Sequence, residues 1–370
     1  MHKNSMGVSF VNLAQAYVDD SKAILAAIEA IGTSGNFILG NNVKSFEKQF
    51  SEYVGSDFAI GVANGSDALF LIMKALGIGP GDEVITAPNS FIASAWTIVA
   101  TGAKPVFCDV DGTLNLDPEQ LQSKITARTK AIMPVHLAGN PANMLRIREL
   151  AKVFSLHIIE DAAQAVGAKY RNEMIGSLGD AAAFSLHPLK NLGVLGDGGV
   201  ITTSDPILAQ EILKLRNHGL INRDDCEIWG YNSRLDEIQA AIALIRLEKI
   251  EPRTQRVREI ASRYSEELSQ IVETPVTTPN SYHVFHNYII QLEMRDELAL
   301  FLLENNIETR THYPVPIHLQ PAAKDLGYKE GDFPVSEYQS SNSLSLPIYP
   351  ELLDEQVDYI IATTKRFFES

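Results

Sequence analysis

Cysteine and long apolar runs are both scarce in this chain of 370 residues. The 2 cysteines, Cys108 and Cys226, lie far apart, which excludes a disulfide-rich scaffold or a cysteine metal cluster and indicates a reducing compartment. No apolar run approaches the length of a membrane span. The opening MHKNSMGVSF lacks the apolar centre of a signal peptide. We therefore expect a soluble, cytoplasmic protein with no membrane partner.

Basic residues are also in short supply. The chain has 31 Lys and Arg against 46 Asp and Glu, a net charge of −15 and a pI near 5.1. A non-specific nucleic-acid binder needs a basic stripe, and none is present, so nucleic acid is not an expected partner. An anionic ligand would have to be held by local donors against the overall field.

Predicted strands and helices alternate along the chain from residue 58 onward. Apolar runs typical of strands recur, with helical segments between them, at 58–62, 83–87, 105–108, 131–135 and 156–160. This alternation predicts an α/β fold with a mostly parallel sheet, and ligands bind such sheets at the carboxyl ends of the strands. Past residue 230 the pattern changes to α+β. We predict a large domain over 1–250 and a small C-terminal domain over 251–370.

Two of these strands are followed by residues suited to holding a ligand. The first runs into Asn64-Gly65-Ser66-Asp67, which indicates a helix start whose free N–H groups either bind a phosphate or form an ordinary cap. Phe91 follows the second strand and either stacks on a planar ligand or belongs to the core. Neither signal is specific alone.

Asp161 and Lys190 carry more specific chemistry. Asp161 ends an apolar strand, where a buried carboxylate needs a positive partner, such as a protonated pyridine nitrogen, unless it only caps the next helix. Lys190 lies in a glycine-rich turn between two strands, where it binds phosphate, forms a Schiff base or is merely solvated. Together, such an aspartate and such a lysine supply the protein's part of pyridoxal phosphate chemistry.

The segment FCDVDGTL, residues 107–114, indicates a different class of enzyme. It resembles the motif of haloacid-dehalogenase-type (HAD-type) phosphatases, in which the position of Asp109 is a nucleophile and magnesium is required. The position of the motif deep in the chain and the lack of a downstream acidic partner motif weigh against a phosphatase, which stays only as an alternative. His283 and His286 are three residues apart but lie in a predicted strand without an acidic ligand, and no metal site is predicted.

A wider resemblance covers residues 32–352, in which the matching segments keep one order along the chain. They are SGNFILG, ANGSDAL, APNSFIASA, PVHLAGNPANM, IIEDAAQAVGA, FSLHPLKNLGVLGDGG, LRNHG, GYNSRLDEIQAAI, HYPVPIHLQP and LSLPIYPEL. The chain resembles the DegT/DnrJ/EryC1/StrS family of pyridoxal 5'-phosphate (PLP)-dependent nucleotide-sugar aminotransferases. The resemblance implies the aminotransferase type I fold and a homodimer whose active sites lie at the subunit interface.

The resemblance also implies roles around the cofactor ring. Lys190 matches the Schiff-base lysine, and Asp161 matches the partner of the pyridine nitrogen. Gln164 matches a residue near the ring, and Phe91 occupies the stacking position. Some relatives replace the lysine by histidine and act as dehydratases. This chain keeps Lys190, so transamination is expected.

Further roles concern the phosphate of the cofactor. Gly65 and Ser66 match the phosphate cup, to which Ser185 adds a hydroxyl. Asn232 matches a residue that reaches the phosphate bound by the partner subunit.

On the substrate side, Tyr313 and His318 match a lining segment, and Ala138 replaces a larger residue found in many relatives. Arg234 and Arg310 are candidates for binding the carboxylate of the amino donor. We expect transfer of an amino group from an amino acid, by resemblance L-glutamate, to a nucleotide-linked keto-deoxyhexose, with dTDP as the nucleotide and C3 or C4 as the position. A non-catalytic PLP-binding regulatory protein is the remaining alternative.

Overall fold

Helices and strands alternate through residues 7–369, the part of the chain that the computed structural model describes. The α-helices in this range are α1 (Leu13–Ser34), α2 (Asn41–Val54), α3 (Gly65–Ala75), α4 (Ala93–Thr101), α5 (Pro118–Lys124), α6 (Met144–Phe154), α7 (Pro206–Leu215), α8 (Glu237–Leu247), α9 (Ile250–Leu268), α10 (Arg295–Glu304), α11 (Pro334–Asn342) and α12 (Asp354–Glu369). Short 3₁₀ helices cover Leu137–Gly139, Ile317–Leu319 and Pro321–Leu326.

The strands of the same range form three sheets. They are β1 (Phe58–Val62), β2 (Glu83–Thr86), β3 (Lys104–Phe107), β4 (Thr129–Ile132), β5 (His157–Asp161), β6 (Lys169–Tyr170), β7 (Glu173–Met174), β8 (Ala181–Ser185), β9 (Gly199–Thr203), β10 (Ser281–Tyr282), β11 (Tyr288–Gln291) and β12 (Ser343–Leu346). The large sheet has 7 strands in the order β1-β9-β8-β5-β4-β2-β3, a 3-stranded sheet joins β10, β6 and β7, and β11 pairs with β12.

The large sheet is mostly parallel, as the alternation predicts. Strand β9 is antiparallel to both of its neighbours, β1 and β8, whereas β8, β5, β4, β2 and β3 are parallel to one another. Strand β1 therefore points the same way as β8 and β5. Their carboxyl ends, Val62, Ser185 and Asp161, meet at one edge of the sheet, where ligands are expected.

Two apolar cores cover the two faces of this sheet. On one face, Phe46 and Phe50 of α2 are fully buried, and the ring of Phe50 meets the ring of Phe184 at 5.1 Å in an edge-on arrangement. On the other face, buried residues of α3, among them Leu71 and Ile72, pack with α7. Strand β8 serves both cores because successive side chains point to opposite faces.

A third core lies outside the large sheet. It joins buried residues of α9, α10, α12, β11 and β12, with Tyr264 and Tyr288 as its largest members. Val8 belongs to this core and forms a bridge to Ile307. The N-terminal segment therefore crosses to the C-terminal part of the chain, and we keep the division near residue 250 as a proposal. Among residues 7–369, no helix is long and apolar enough to cross a membrane.

Asp109, of the phosphatase-like motif, has a structural role here. Its buried carboxylate accepts N–H bonds from Val335 and Ser336, both at 3.0 Å, and the Ser336 hydroxyl at 2.7 Å. It also accepts the N–H of Val110 at 2.9 Å. These bonds satisfy the first turn of α11 and leave no open face for a nucleophile. Among the residues described, no three acidic, histidine or cysteine side chains converge as a metal site requires.

We expect Asp109→Asn to lower the free energy of unfolding by about 1–3 kcal/mol, because an amide NH₂ then faces a donor N–H of the α11 first turn. Urea unfolding measures the change. Asp57→Asn, at an exposed carboxylate, is the matched control and should leave the midpoint in place. Equal midpoints for the two variants would contradict the capping role.

Candidate active site

A cavity of about 920 Å³ opens at the carboxyl edge of the large sheet. Its walls come from the turns after β1, β5 and β8 and from residues 308–313. Eight of the predicted site residues line it: Gly65, Ser66, Phe91, Asp161, Gln164, Ser185, Lys190 and Tyr313. Residues separated by as many as 248 positions in sequence are thus brought to one site, since 313 − 65 = 248.

One end of the cavity is formed by the start of helix α3 and the end of β8. Helix α3 begins at Gly65 directly after β1, and the side chain of Asn64 accepts the Asp67 N–H at 2.8 Å. Ser185 ends β8 beside this helix start, and a Cβ on Gly65 would lie only 2.8 Å from the Cβ of Ser185. Only glycine allows this approach, which places the Ser66 and Ser185 hydroxyls and the free N–H groups of α3 in one wall.

Asp161 is a buried carboxylate at the end of β5. The Ser94 hydroxyl donates to its Oδ2 at 2.7 Å, and the Ala163 N–H donates to Oδ1 at 3.3 Å. Among the residues described, no basic side chain forms an ion pair with it. Burial raises the pKa of Asp161 above its usual range, and the hydrogen bonds and the Lys190 charge only oppose that shift. Such a carboxylate fits a protonated ring nitrogen as its cationic partner.

Lys190 lies in the turn that follows β8. Its N–H donates to the His187 carbonyl at 2.8 Å, and the turn closes at Gly193, where a Cβ would lie 2.4 Å from the Pro188 carbonyl oxygen. Burial lowers the pKa of Lys190 to about 8, although the negative charge of Asp161 raises it. A sizeable fraction of this amine is therefore neutral near physiological pH, as a nucleophile requires.

Gln164, Tyr313 and Phe91 form a polar and aromatic wall beside these groups. The amide of Gln164 donates to the Tyr313 hydroxyl at 3.1 Å and accepts the Ala138 N–H at 2.7 Å. Ala138 acts through its backbone, which has a left-handed φ of 56°. The Phe91 ring is 54% exposed, which excludes the core alternative, and its centroid lies 6.3 Å from that of Tyr313. Burial raises the pKa of Tyr313 to about 12, so its hydroxyl keeps its proton.

A buried pair behind Asp161 holds the end of β5 in place. Glu160 accepts the N–H groups of Gly176, Leu178 and Gly179, at 3.1, 2.8 and 2.8 Å. Its Oε2 also lies 3.1 Å from the His136 Nε2. Because the His136 Nδ1 accepts the Ala142 N–H, the imidazole proton lies on Nε2 and points at Glu160. The two neighbouring carboxylates thus have different roles. Glu160 is held by hydrogen bonds within the fold, whereas Asp161 faces the cavity.

The structure does not bring His318 or Asn232 into this cavity. His318 is buried in the short helix Ile317–Leu319, with its Nε2 3.0 Å from a carboxylate oxygen of Glu337 and its ring edge-on to Phe333. Asn232 is exposed and bridges to Asn217. The substrate role of His318 and the intersubunit role of Asn232 remain predictions.

The two arginines considered for the donor carboxylate are also separated. Arg310 lines the cavity, whereas Arg234 lies outside it and donates to the Asn217 side chain at 3.0 Å.

Sequence reasoning missed several residues that line the cavity. Ser94 follows Phe91 by three positions at the start of α4, and that helical spacing was the available signal. His312 directly precedes Tyr313 in the HYPVPIHLQP segment, which was its available signal, whereas Phe10 had none. Their rings lie 5.8 Å apart, and the residues are joined only through the contact of the N-terminal segment with the C-terminal part.

The chain matches a family model over residues 18–365, that of the DegT/DnrJ/EryC1/StrS aminotransferase family. A dTDP-3-amino-3,6-dideoxy-alpha-D-galactopyranose transaminase from Aneurinibacillus thermoaerophilus is 44% identical, over 97% of this chain and 99% of the relative. A protein named pleiotropic regulatory protein from Geobacillus stearothermophilus is also 44% identical, over 98% of this chain and 99% of the relative.

The fold is also similar to that of a solved structure. The crystal structure of S. venezuelae DesV in complex with a ketimine intermediate superposes with a TM-score of 0.97 at 43% identity, covering 98% of this chain and 99% of DesV. This similarity confirms the predicted aminotransferase fold. The family match confirms the resemblance drawn from the sequence and removes the phosphatase alternative. The chain belongs to the DegT/DnrJ/EryC1/StrS aminotransferase family.

Proposed function

We propose that the protein transfers the amino group of L-glutamate to C3 of a dTDP-linked keto-deoxyhexose, with PLP as its cofactor. The observation that carries the proposal is the arrangement of Asp161, Lys190 and the α3 phosphate cradle in one cavity. The relative that makes a 3-amino sugar on dTDP supports the sugar class and the position. Glutamate as the donor is proposed from the family resemblance.

The residues of the cavity fit PLP at both of its ends. The N-terminus of α3, with Ser66 and Ser185, would hold the phosphate, and Asp161 would keep a proton on the ring nitrogen. Phe91 would cover a ring face. When bound, PLP supplies a reactive aldehyde carbon and an electron-withdrawing ring.

Lys190 supplies the amine that this chemistry needs. With a pKa of about 8, about a tenth of the amine is neutral at pH 7, against well under a thousandth for an unperturbed lysine. The same group, once free, can carry a proton between the reacting carbons of cofactor and substrate. Tyr313 and Ala138 hold Gln164 from both sides of its amide, which fixes its orientation beside these groups.

We also propose that two copies of the chain complete the sites. Large apolar side chains are exposed near the cavity mouth and along the segment that carries Asn232. Leu189 is 49% and Trp229 93% exposed, and Ile38, 46% exposed, bridges to Asp236. Burying such side chains against a second copy would stabilise a dimer. Asn232 would then face the phosphate of the partner's site.

A panel of nucleotide-linked 3-keto and 4-keto sugars with glutamate tests the proposed reaction. We expect turnover with a dTDP-linked 3-keto-deoxyhexose and an amine at C3, identified by product mass and NMR. Lys190→Ala should abolish multiple turnover, whereas Lys169→Ala, in β6 outside the cavity, should not. An amine at C4, or bound PLP that never reacts with glutamate, would contradict the proposal.

The pH dependence of cofactor loading tests the pKa of Lys190. Because only the neutral amine attacks an aldehyde, the loading rate of apo protein should rise about tenfold per pH unit below 8 and level off above it. Absorbance follows the loading. Asp161→Asn removes a charge that raises this pKa, so its plateau should begin at lower pH. A rate that keeps rising to pH 10 would show an unperturbed lysine.

Mixing two inactive variants tests the shared sites. Lys190→Ala removes the reactive amine, and Asn232→Asp places a negative charge opposite the partner's phosphate. If each site uses Lys190 of one copy and Asn232 of the other, unfolding and refolding the two together should restore about a quarter of wild-type activity, in mixed dimers. Activity that stays at the level of the separate variants would contradict this arrangement.

A further inference from the structure

Arg310 differs from the other arginines that line the cavity. Arg246 pairs with Asp20 at 3.3 Å, and Arg253 pairs with Glu351 at 2.7 Å. Arg310 donates through Nη1 to the Thr309 carbonyl, and its ion-pair contact, with Glu308, is as long as 4.0 Å. Its side chain is 59% exposed. Among the residues described, Arg310 is therefore the cavity arginine whose guanidinium keeps most of its donors for a ligand.

The N-terminal segment holds this guanidinium in place. The Arg310 Cζ lies over the Phe10 ring, 5.8 Å from its centroid. The Phe10 N–H donates to Oε2 of Glu308 at 3.1 Å, which ties that carboxylate to the segment as well as to Arg310. Stacking on Phe10 restricts the guanidinium, and the bond to Phe10 keeps Glu308 from neutralising it closely.

His312 lines the same cavity as Arg310 and Lys190. Its ring lies 5.8 Å from that of Phe10 and 5.9 Å from that of Tyr313, and its Nδ1 is 2.7 Å from the Ser345 hydroxyl. Burial, together with the positive charges of Lys190 and Arg310, lowers the pKa of His312 to about 4. The neutral His312 ring is thus influenced by two cations, Lys190 and Arg310. This part of the cavity wall therefore favours an anionic ligand.

We propose that Arg310 binds a carboxylate of the amino donor, while the donor's amino group reaches the Lys190 end of the cavity. This inference rests on the proposed function, which makes an amino acid the first substrate. A planar guanidinium presents paired N–H groups that match a carboxylate. The site is thereby assigned to Arg310 and not to Arg234, which lies outside the cavity.

The pyrophosphate of the nucleotide sugar is a second source of paired anionic oxygens. The two sources act in different half-reactions, so they can be separated. The first uses glutamate alone, and the second, run in reverse, uses the dTDP-amino sugar alone. Binding of glutarate, a dicarboxylate without an amino group, reports on the carboxylate site without any reaction.

The test compares the loaded wild-type protein with Arg310→Gln. By calorimetry, we expect glutarate to bind roughly 10- to 100-fold more weakly to the variant, because a charge-assisted pair is lost. The glutamate half-reaction should need proportionally more glutamate, and the amino-sugar half-reaction should be unchanged. Arg310→Lys should recover part of the affinity, since it keeps the charge but not the fork.

Two further variants sharpen the comparison. Arg366→Gln is the matched control, because Arg366 also lies over a phenyl ring, that of Phe301 at 5.5 Å, but outside the cavity. It should bind glutarate as the wild type does. Glu308→Gln removes the carboxylate nearest Arg310 and should tighten glutarate binding.

The inference is overturned if Arg310→Gln binds glutarate like the wild type, or if the variant loses the amino-sugar half-reaction, alone or together with the glutamate one. Failure of the wild-type protein to react with glutamate contradicts the proposed function instead. The glutarate comparison still decides the role of Arg310 in that case.

Discussion

The buried carboxylate of Asp161 is the constraint on which the site depends. A carboxylate at the end of a central strand, given only a hydroxyl and a single N–H as donors, is costly unless a cation approaches from the cavity. Asp161 and Lys190 influence one another from adjacent strand ends, the carboxylate favouring a charged amine and burial favouring a neutral one. This balance keeps a reactive amine in the same cavity as a carboxylate that would hold a protonated ring nitrogen.

The large sheet holds the buried carboxylate of Asp161 in a fixed position. Strand β5 turns Glu160 away from Asp161, into a set of three N–H groups and the His136 imidazole that leaves it fully satisfied. The parallel sheet brings the ends of β1, β5 and β8 to one edge, so the start of α3, Asp161 and Lys190 are positioned by the backbone. Asp109, capping α11, ties the C-terminal part to the same frame.

The sequence predicts the sheet and most of the cavity because both follow from local signals. Gly65, Asp161 and Lys190 each lie at or after the end of a strand, and strand ends meet in a parallel sheet. Contacts between distant segments carried no such signal: Phe10 meets Glu308 across 298 positions. Strands β6, β7 and β10 have 2 residues each, too few for a period. His318 matched a motif, yet its ring packs on Phe333 away from the cavity.

Lys190 is proposed as the amine that would hold the cofactor in the cavity that Asp161 also lines. Reducing the PLP-loaded protein with borohydride makes the lysine attachment permanent, and peptide mass spectrometry then identifies the lysine. We predict one modified peptide, carrying the cofactor on Lys190. A cofactor fixed on Lys249, Lys169 or any other lysine, with Lys190 unmodified, would contradict it.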